Sequence, residues 1–291
     1  MKFLETLLNG LSSGSTYAMI ALGYTMVYGI AKMLNFAHGD VIMVGGYTLY
    51  VTAITLGMNP LLALLFAVIC CMVLGVSIEK LAYRPLRGAS PLAVLITAIG
   101  MSYLLQSLAQ IIFGSADQMV RLFDLGQLSI GSFQVSVYTV ITLACSAVIM
   151  IALSMFVKYT RIGRAMIAVS EDKSAAQLMG INVNWIITIT FAIGSALAAF
   201  AGFFMVLKSP PVNSTLGAMP GIKAFTAAVI GGIGSIPGAM LGGILMGLVE
   251  AFAQTTPAVA PFTVAIEFSI LIVILLVRPS GILGKKRREK V

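Results

Sequence analysis

The chain has 291 residues, 59% of them apolar and 10% charged, with a mean hydropathy of +1.03. Soluble domains carry about 45–50% apolar and about 25% charged residues, so this composition excludes a soluble enzyme, a secreted disulfide scaffold, a disordered tail and a DNA-binding module, and points to a bilayer. A crossing helix needs roughly 20 apolar residues, which limits the chain to about ten spans.

The first apolar run, near 9–30, follows a single lysine, is interrupted by Asn9, Ser12, Ser13 and Ser15, and has no small-residue cleavage site. It reads as a retained helix rather than a signal peptide. Further spans are predicted near 37–57, 60–79, 91–113, 137–157, 185–207 and 260–277. Between the last two, 221–253 is too long for one helix and short for two. Its middle, Gly231–Gly238, contains Pro237 and several glycines, so the segment reads as a helical hairpin or a broken, partly re-entrant pair.

The net charge of +8 comes from 18 basic and 10 acidic residues. Thirteen of the basic residues fall in three stretches: Lys80, Arg84 and Arg87; Lys158, Arg161, Arg164 and Lys173; and Arg278, Lys285, Lys286, Arg287, Arg288 and Lys290. In a multispan protein such clusters face the cytoplasm, so no nucleic-acid partner is implied. Alternating the spans around them predicts about nine passes, with eight the nearest competitor, the N-terminus outside and the C-terminus inside. Cys70, Cys71 and Cys145 sit in apolar runs, and neither a disulfide nor a metal site is predicted.

Four polar features interrupt the apolar pattern. Asn35, His38 and Asp40 lie at a break between spans. They fit either a helix break at the substrate path or its inner gate, or a plain helix start with Asn35 or Asp40 as its cap. Gly231, Gly234 and Pro237 mark a second break, and the loosely matching positions of the two suggest an inverted repeat around a pathway. Gly234, Gly238 and Gly242, and Gly243 with Gly247, recur every fourth residue and predict close helix packing. Glu250 and Glu267 fall within or near apolar spans, where ionisable groups are costly; pairing with Lys208 or Lys223 is expected rather than proton transfer. The polar stretch 158–184 holds a fourth feature. Ser170 can cap a helix of about nine residues, with Glu171 and Asp172 at its positive end and Gly180 at its stop. Such a helix is either a docking element for a soluble partner or an incidental turn in a solvated loop.

Asn35-Phe36-Ala37-His38-Gly39-Asp40, Ser174-Ala175-Ala176-Gln177-Leu178-Met179-Gly180, the glycine-rich block 230–247 and Val277-Arg278-Pro279-Ser280-Gly281-Ile282-Leu283-Gly284 together closely resemble the high-affinity branched-chain amino-acid permease subunit of bacterial ABC importers. The resemblance covers nearly the whole chain. It implies an all-α, polytopic inner-membrane fold built on an inverted repeat, as one domain over 1–291 with a cytoplasmic coupling loop at 158–184 and a basic tail at 278–291. It also implies a coupling helix over Glu171, Asp172, Ser174, Ala175, Ala176, Leu178 and Gly180; against the broader pattern Glu-Ala-Ala-x-x-x-Gly, Ser174 replaces the glutamate while Ala175, Ala176 and Gly180 match. The implied partners are a second homologous permease subunit, two ATPase subunits that bind ATP and magnesium, and a periplasmic binding protein delivering leucine, isoleucine or valine. This sequence has no Gly-x4-Gly-Lys-Ser/Thr loop and no converging nucleophile and base, so no cofactor and no catalysis of its own are expected. The competing readings are a self-sufficient secondary carrier or channel, and an enzyme acting on lipid.

Overall fold

The computed structural model describes residues 2–123, 126–130 and 133–284. Its helices are α1 (Lys2–Ala31), α2 (His38–Leu49), α3 (Pro60–Ile78), α4 (Pro91–Phe113), α5 (Val137–Tyr159), α6 (Arg161–Glu171), α7 (Lys173–Leu178), α8 (Val183–Lys208), α9 (Ala218–Gly231), α10 (Ile236–Thr255) and α11 (Thr263–Val277). A π-helical turn, Tyr50–Thr55, extends α2, and α3 runs on through another, Glu79–Tyr83, into a 3-10 turn, Arg84–Leu86. Among the described residues, sheet is confined to two antiparallel pairs, β1 (Gln118–Met119) with β4 (Pro211–Val212), and β2 (Gln127–Ile130) with β3 (Phe133–Ser136). Lys285, Lys286, Arg287, Arg288 and Lys290 of the expected basic tail lie outside the described residues.

The helix starts follow local chemistry. Asn59 and Ser90 accept from the backbone N–H of Leu61 (2.9 Å) and Ala93 (3.3 Å), each followed by a proline whose missing N–H costs nothing in the first turn. Asn182 caps α8 through the Trp185 N–H at 3.1 Å.

Six stretches among the described residues are long and apolar enough to cross a bilayer: Pro60–Leu86, Pro91–Phe113, Val137–Tyr159, Val183–Lys208, Ile236–Thr255 and Ala260–Val277. The expected nine passes are therefore not met on length and composition. α1 has the length, 30 residues, but carries a polar face. The 14-residue α9 is about 21 Å long, well short of a crossing.

The residues 31, 84–87, 161–173, 232–235 and 278–284 share one end of the bundle. Lys173 Nζ donates to the Ala31 carbonyl (2.9 Å), Arg87 bonds Asn184, and Ile282 and Leu283 N–H donate to the carbonyls of Ile230 (2.9 Å) and Gly231 (3.0 Å). The described members of all three basic stretches are thus gathered at this basic end, while β1, β4 and the start of α1 lie at the far end.

Helix directions reveal the repeat. α1 runs antiparallel to α10, with Gly14 beside Ile244 and Ala18 beside Gly243; α8 runs antiparallel to α3, with Thr188 beside Glu79 and Asn184 beside Arg87. α1 runs toward the basic end and α8 away from it. Each is followed by an extended connection, 32–37 or 209–217, and then by a helix, α2 or α9, that starts inside the bundle. The partner of the break at 32–37 is therefore 209–217, and not Gly231–Gly238 as the glycine pattern suggested. Gly231–Gly238 forms the tight turn of an antiparallel hairpin between α9 and α10 at the basic end, with Gly234 and Pro237 exposed.

The glycine stripes of α10 serve two neighbours. Gly238 and Gly242 meet the backbone of α9 at Gly231 and Ala227, whereas Gly243 and Gly247 meet that of α1 at Ala18 and Gly14. Close backbone approach supplies the dispersion contact that drives helix association in lipid. A Cβ on Gly247 would overlap the Gly14 backbone, and one on Gly100 of α4 meets open space. Gly247→Leu should therefore lower the melting temperature of the purified chain in detergent, by the equivalent of about 1–3 kcal/mol or more, with Gly100→Ala near neutral; equal melting of the two variants would contradict this packing.

Candidate functional site

The two re-entrant connections meet inside the bundle. α1 ends at Ala31, the following Lys32 adopts a positive φ of 61°, and the chain then turns back into the protein. Asn35 Oδ1 accepts from the Tyr83 hydroxyl at 2.9 Å, and the Phe36 ring lies 5.6 Å from that of Phe225. α2 then begins at His38 with Ala37 at its cap position and no side-chain cap, so neither Asn35 nor Asp40 plays the capping role open to them. On the other side, 213–217 descends past Gly46 until Gly217 abuts Gly39. Gly39 lies beside Tyr24, seven residues and so about 10 Å from the end of α1. The N-termini of α2 and α9 thus face a common point well below the surface. A side chain at Gly217 would overlap the Gly39 carbonyl, so both positions need glycine for close approach.

Side chains from three helices close this junction. The Tyr24 hydroxyl accepts from the Gly39 N–H, one of the donors left over at the start of α2. Asp40, 2% exposed, accepts from Gln106 Nε2 at 2.8 Å and from Ser102. One helical turn along α4, Gln110 Nε2 donates to Ser214 Oγ at 3.0 Å. α4 therefore holds the first turn of α2 and the connection 209–217 with residues spaced four apart. His38 stacks edge-on to Tyr24 at 4.7 Å, with its Nε2 pressed against Gly23 and without a hydrogen-bond partner among the described residues. It locks α2 to α1 in the gap left by a glycine.

A charged cluster lies further toward the far end. Lys223 Nζ of α9 is 2.6 Å from Glu250 of α10 and 3.1 Å from Glu267 of α11, and Glu250 Oε2 also accepts from the Tyr17 hydroxyl of α1 at 2.7 Å. Both glutamates pair with Lys223 as expected; Lys208 instead donates to Ser13 Oγ at 2.7 Å. The ion pairs tie the short α9 to α10 and α11, and the Tyr17 hydroxyl links Glu250 to α1.

At the basic end, the polar loop is a pair of helices. Thr160 caps α6 through the Gly163 N–H at 3.0 Å. Ser170 and Glu171 belong to the last turn of α6, and Asp172 caps α7, accepting from Ser174 (2.8 Å) and Ala175 (3.0 Å) N–H. The expected nine-residue helix capped by Ser170 is thus a six-residue helix capped by Asp172, because Asp172 leaves helical geometry (φ −151°, ψ 112°) and breaks the run. Gly180, at φ 81°, stops it as predicted. Ala176 is buried, whereas Glu171, Asp172, Ser174, Ala175, Leu178 and Gly180 are exposed, with Leu178 89% and Met179 82% accessible. Lys173 ties α7 to the end of α1; burial, and then the nearby Arg87 charge, lower its pKa from the usual lysine value.

The sequence profile described as branched-chain amino acid transport system, permease component, matches residues 6–276. The chain belongs to this family. It is 43% identical over 302 aligned residues to the high-affinity branched-chain amino acid transport system permease protein BraD of Pseudomonas aeruginosa, covering 99% of this chain and 98% of that one. The same figures hold for LivH of Escherichia coli K12. A probable branched-chain amino acid transport permease of Methanocaldococcus jannaschii is 29% identical across 91% of this chain and 88% of its own.

Of the singled-out residues, Asn35, His38 and Asp40 come together with α1, α3 and α4, and those expected to form a coupling helix lie together on the α6–α7 projection, exposed except for Ala176. Gly231, Gly234 and Pro237 sit apart from both the junction and the charged cluster. Tyr24, Gln106, Gln110, Gly217 and Glu79 were not anticipated. For Gln106 and Gln110 a signal existed, two amides four apart in an apolar span. Glu79, fully buried, bonds Arg87 and accepts from Thr188 (2.8 Å). Removing the shared cation should be costly: Lys223→Met leaves two carboxylates uncompensated and should destabilise by about 3–5 kcal/mol, with part restored by adding Glu267→Gln. Thermal melting in detergent tests this, and a single variant that melts with the wild type would refute it.

Proposed function

We propose that this chain is the membrane-spanning subunit of an ATP-driven importer that carries leucine, isoleucine and valine across a bacterial inner membrane by alternating access. The described members of the three basic stretches support a cytoplasmic basic end with the C-terminus inside, and a periplasmic N-terminus at the opposite end of α1 is the reading that goes with it. The partners are a second homologous permease, two ATPase subunits that bind ATP and magnesium, and a periplasmic binding protein that supplies the amino acid. The single domain carries its coupling element between its two inverted halves, in the loop 158–184.

The observation that carries this reading is the projecting α6–α7 pair, whose exposed Leu178 and Met179 stand beside Ala175 and Gly180 at the basic end. A soluble partner gripping α7 acts directly on α1 through Lys173 and the Ala31 carbonyl. The end of α1 leads within seven residues to His38 and the junction. Movement of α7 would thus reach Asn35, His38 and Asp40 at the inner gate, while the turn at Gly231, Gly234 and Pro237 is held by 281–284. Separation of Gly39 from Gly217 would open one side at a time.

Ala175→Arg and Gly180→Arg place a long cation on the docking face; Gly180→Arg also strains a positive φ. Each should leave the amount of membrane-inserted chain unchanged while lowering leucine uptake at least about tenfold and releasing the ATPase on co-purification. Uptake and assembly equal to wild type would overturn the docking role. Leucine uptake by the chain alone, driven by an ion gradient in vesicles, would replace the importer reading with a secondary carrier.

A further inference from the structure

α1 is about 45 Å long and the hydrocarbon layer about 30 Å thick, so its first turns stand at the far interface. There they wall a cavity of about 230 Å³ with the ends of α8 and α10. At about 30 Å³ per water this space holds about seven waters, the size class of one free amino acid. Its lining is polar, with Thr6, Asn9, Ser13, Lys208, Glu250 and Gln254 contributing, and Ala251 the one apolar residue among those that line it.

The charges have a definite arrangement. Lys208 closes α8, where the helix dipole favours a cation, and Ser13 takes one of the three donors of its ammonium. Across the cavity, Glu250 accepts from Tyr17 on Oε2 and from Lys223 and Gln254 on Oε1, while an ionised carboxylate offers about four acceptor positions. With Lys223 and Glu267 behind them, Lys208 and Glu250 complete a neutral group of two cations and two anions. A ligand of single charge would upset that balance; a zwitterion would not.

We propose that this cavity is an outer receiving site for the zwitterionic head of an α-amino acid. Its carboxylate sits on the Lys208 ammonium and the Ser13 hydroxyl, and its ammonium on Glu250 with the amide oxygens of Asn9 or Gln254. The polar lining leaves the side chain unread, so the site accepts leucine, isoleucine and valine alike and selection among side chains is made elsewhere. The inference rests on the importer reading, and assigns Lys208 and Glu250 a role beyond holding α9.

The test uses the assembled importer in proteoliposomes with a loaded binding protein, in which wild-type uptake of leucine first establishes transport. Lys208→Gln should then lower leucine uptake about tenfold or more, as expected for loss of a charge-assisted hydrogen bond, with ATP hydrolysis and assembly unchanged, and Lys208→Arg should retain most of it. A second measurement reports occupancy directly. In a chain carrying Cys70→Ser and Cys145→Ser, a thiol introduced by Thr255→Cys lines the cavity without touching the proposed contacts. L-Leucine should slow its reaction with a cationic methanethiosulfonate, whereas 3-methylbutylamine and 4-methylpentanoate, each lacking one charge, should not. If wild-type importer carries leucine but Lys208→Gln matches it, or if leucine fails to protect the thiol introduced by Thr255→Cys, the receiving site is wrong and the importer reading stands. No uptake by the wild-type assembly would instead remove the importer reading.

Discussion

A backbone interrupted inside a bilayer has no water to satisfy it, and each free N–H or C=O must find a partner within the protein. This chain interrupts itself in that way at 32–37 and 209–217, and much of the fold serves to shelter the point where the two meet. Gly39 and Gly217 bring the start of α2 and the second connection into contact, Tyr24 satisfies a donor at the start of α2, and Gln106 and Gln110 of α4 reach the first turn of α2 and the connection 209–217. His38, often a reactive residue, is here packed between α2 and α1, against Gly23 and the Tyr24 ring. The junction is closed by packing and hydrogen bonds, and both can be exchanged for others when helices shift.

The inverted repeat brings two oppositely directed routes to one junction. α1 and α8 run in opposite directions and lead into shortened helices that start deep in the protein. A displacement at the basic end enters through α1 and 32–37, while one at the far end enters through α8 and 209–217. Both arrive at the contact between Gly39 and Gly217. The projecting pair α6–α7 is joined to the first of these routes by the Lys173 bond to Ala31, and to the start of α8 by the short turn that follows α7.

Buried charge stabilises the second half differently from the first. α9 is too short to anchor itself by apolar surface across the membrane, and Lys223 compensates by facing Glu250 and Glu267 on two other helices. Such pairs contribute little net stability once desolvation is counted, but they fix register, because a slipped helix would leave charges unpaired. The glycine contacts of α10 act to the same end by allowing approach in one register only.

Much of this protein follows from the sequence read alone. Composition determines that it lives in a bilayer, since so few charges cannot solvate its surface, and the clustering of the basic residues determines which loops share an end. The spans near 60–79, 91–113, 137–157, 185–207 and 260–277, the break at Asn35–Asp40, the stop at Gly180 and the pairing of Glu250 and Glu267 with Lys223 were legible because each depends on local hydropathy, backbone preference or the cost of an unpaired charge. The tertiary structure alone decided that 209–217, rather than the conspicuous glycines at 231–238, answers the first break. A connection that dips into the protein has no composition of its own: 209–217 reads as an ordinary polar loop, and only its contact with Gly39 reveals its depth. The same holds for Asp172 displacing Ser170 as the cap of α7 and for Gln106 and Gln110, whose roles depend on partners more than 60 residues away in the chain. Local preferences set where helices can start; which of those starts face each other is decided by packing.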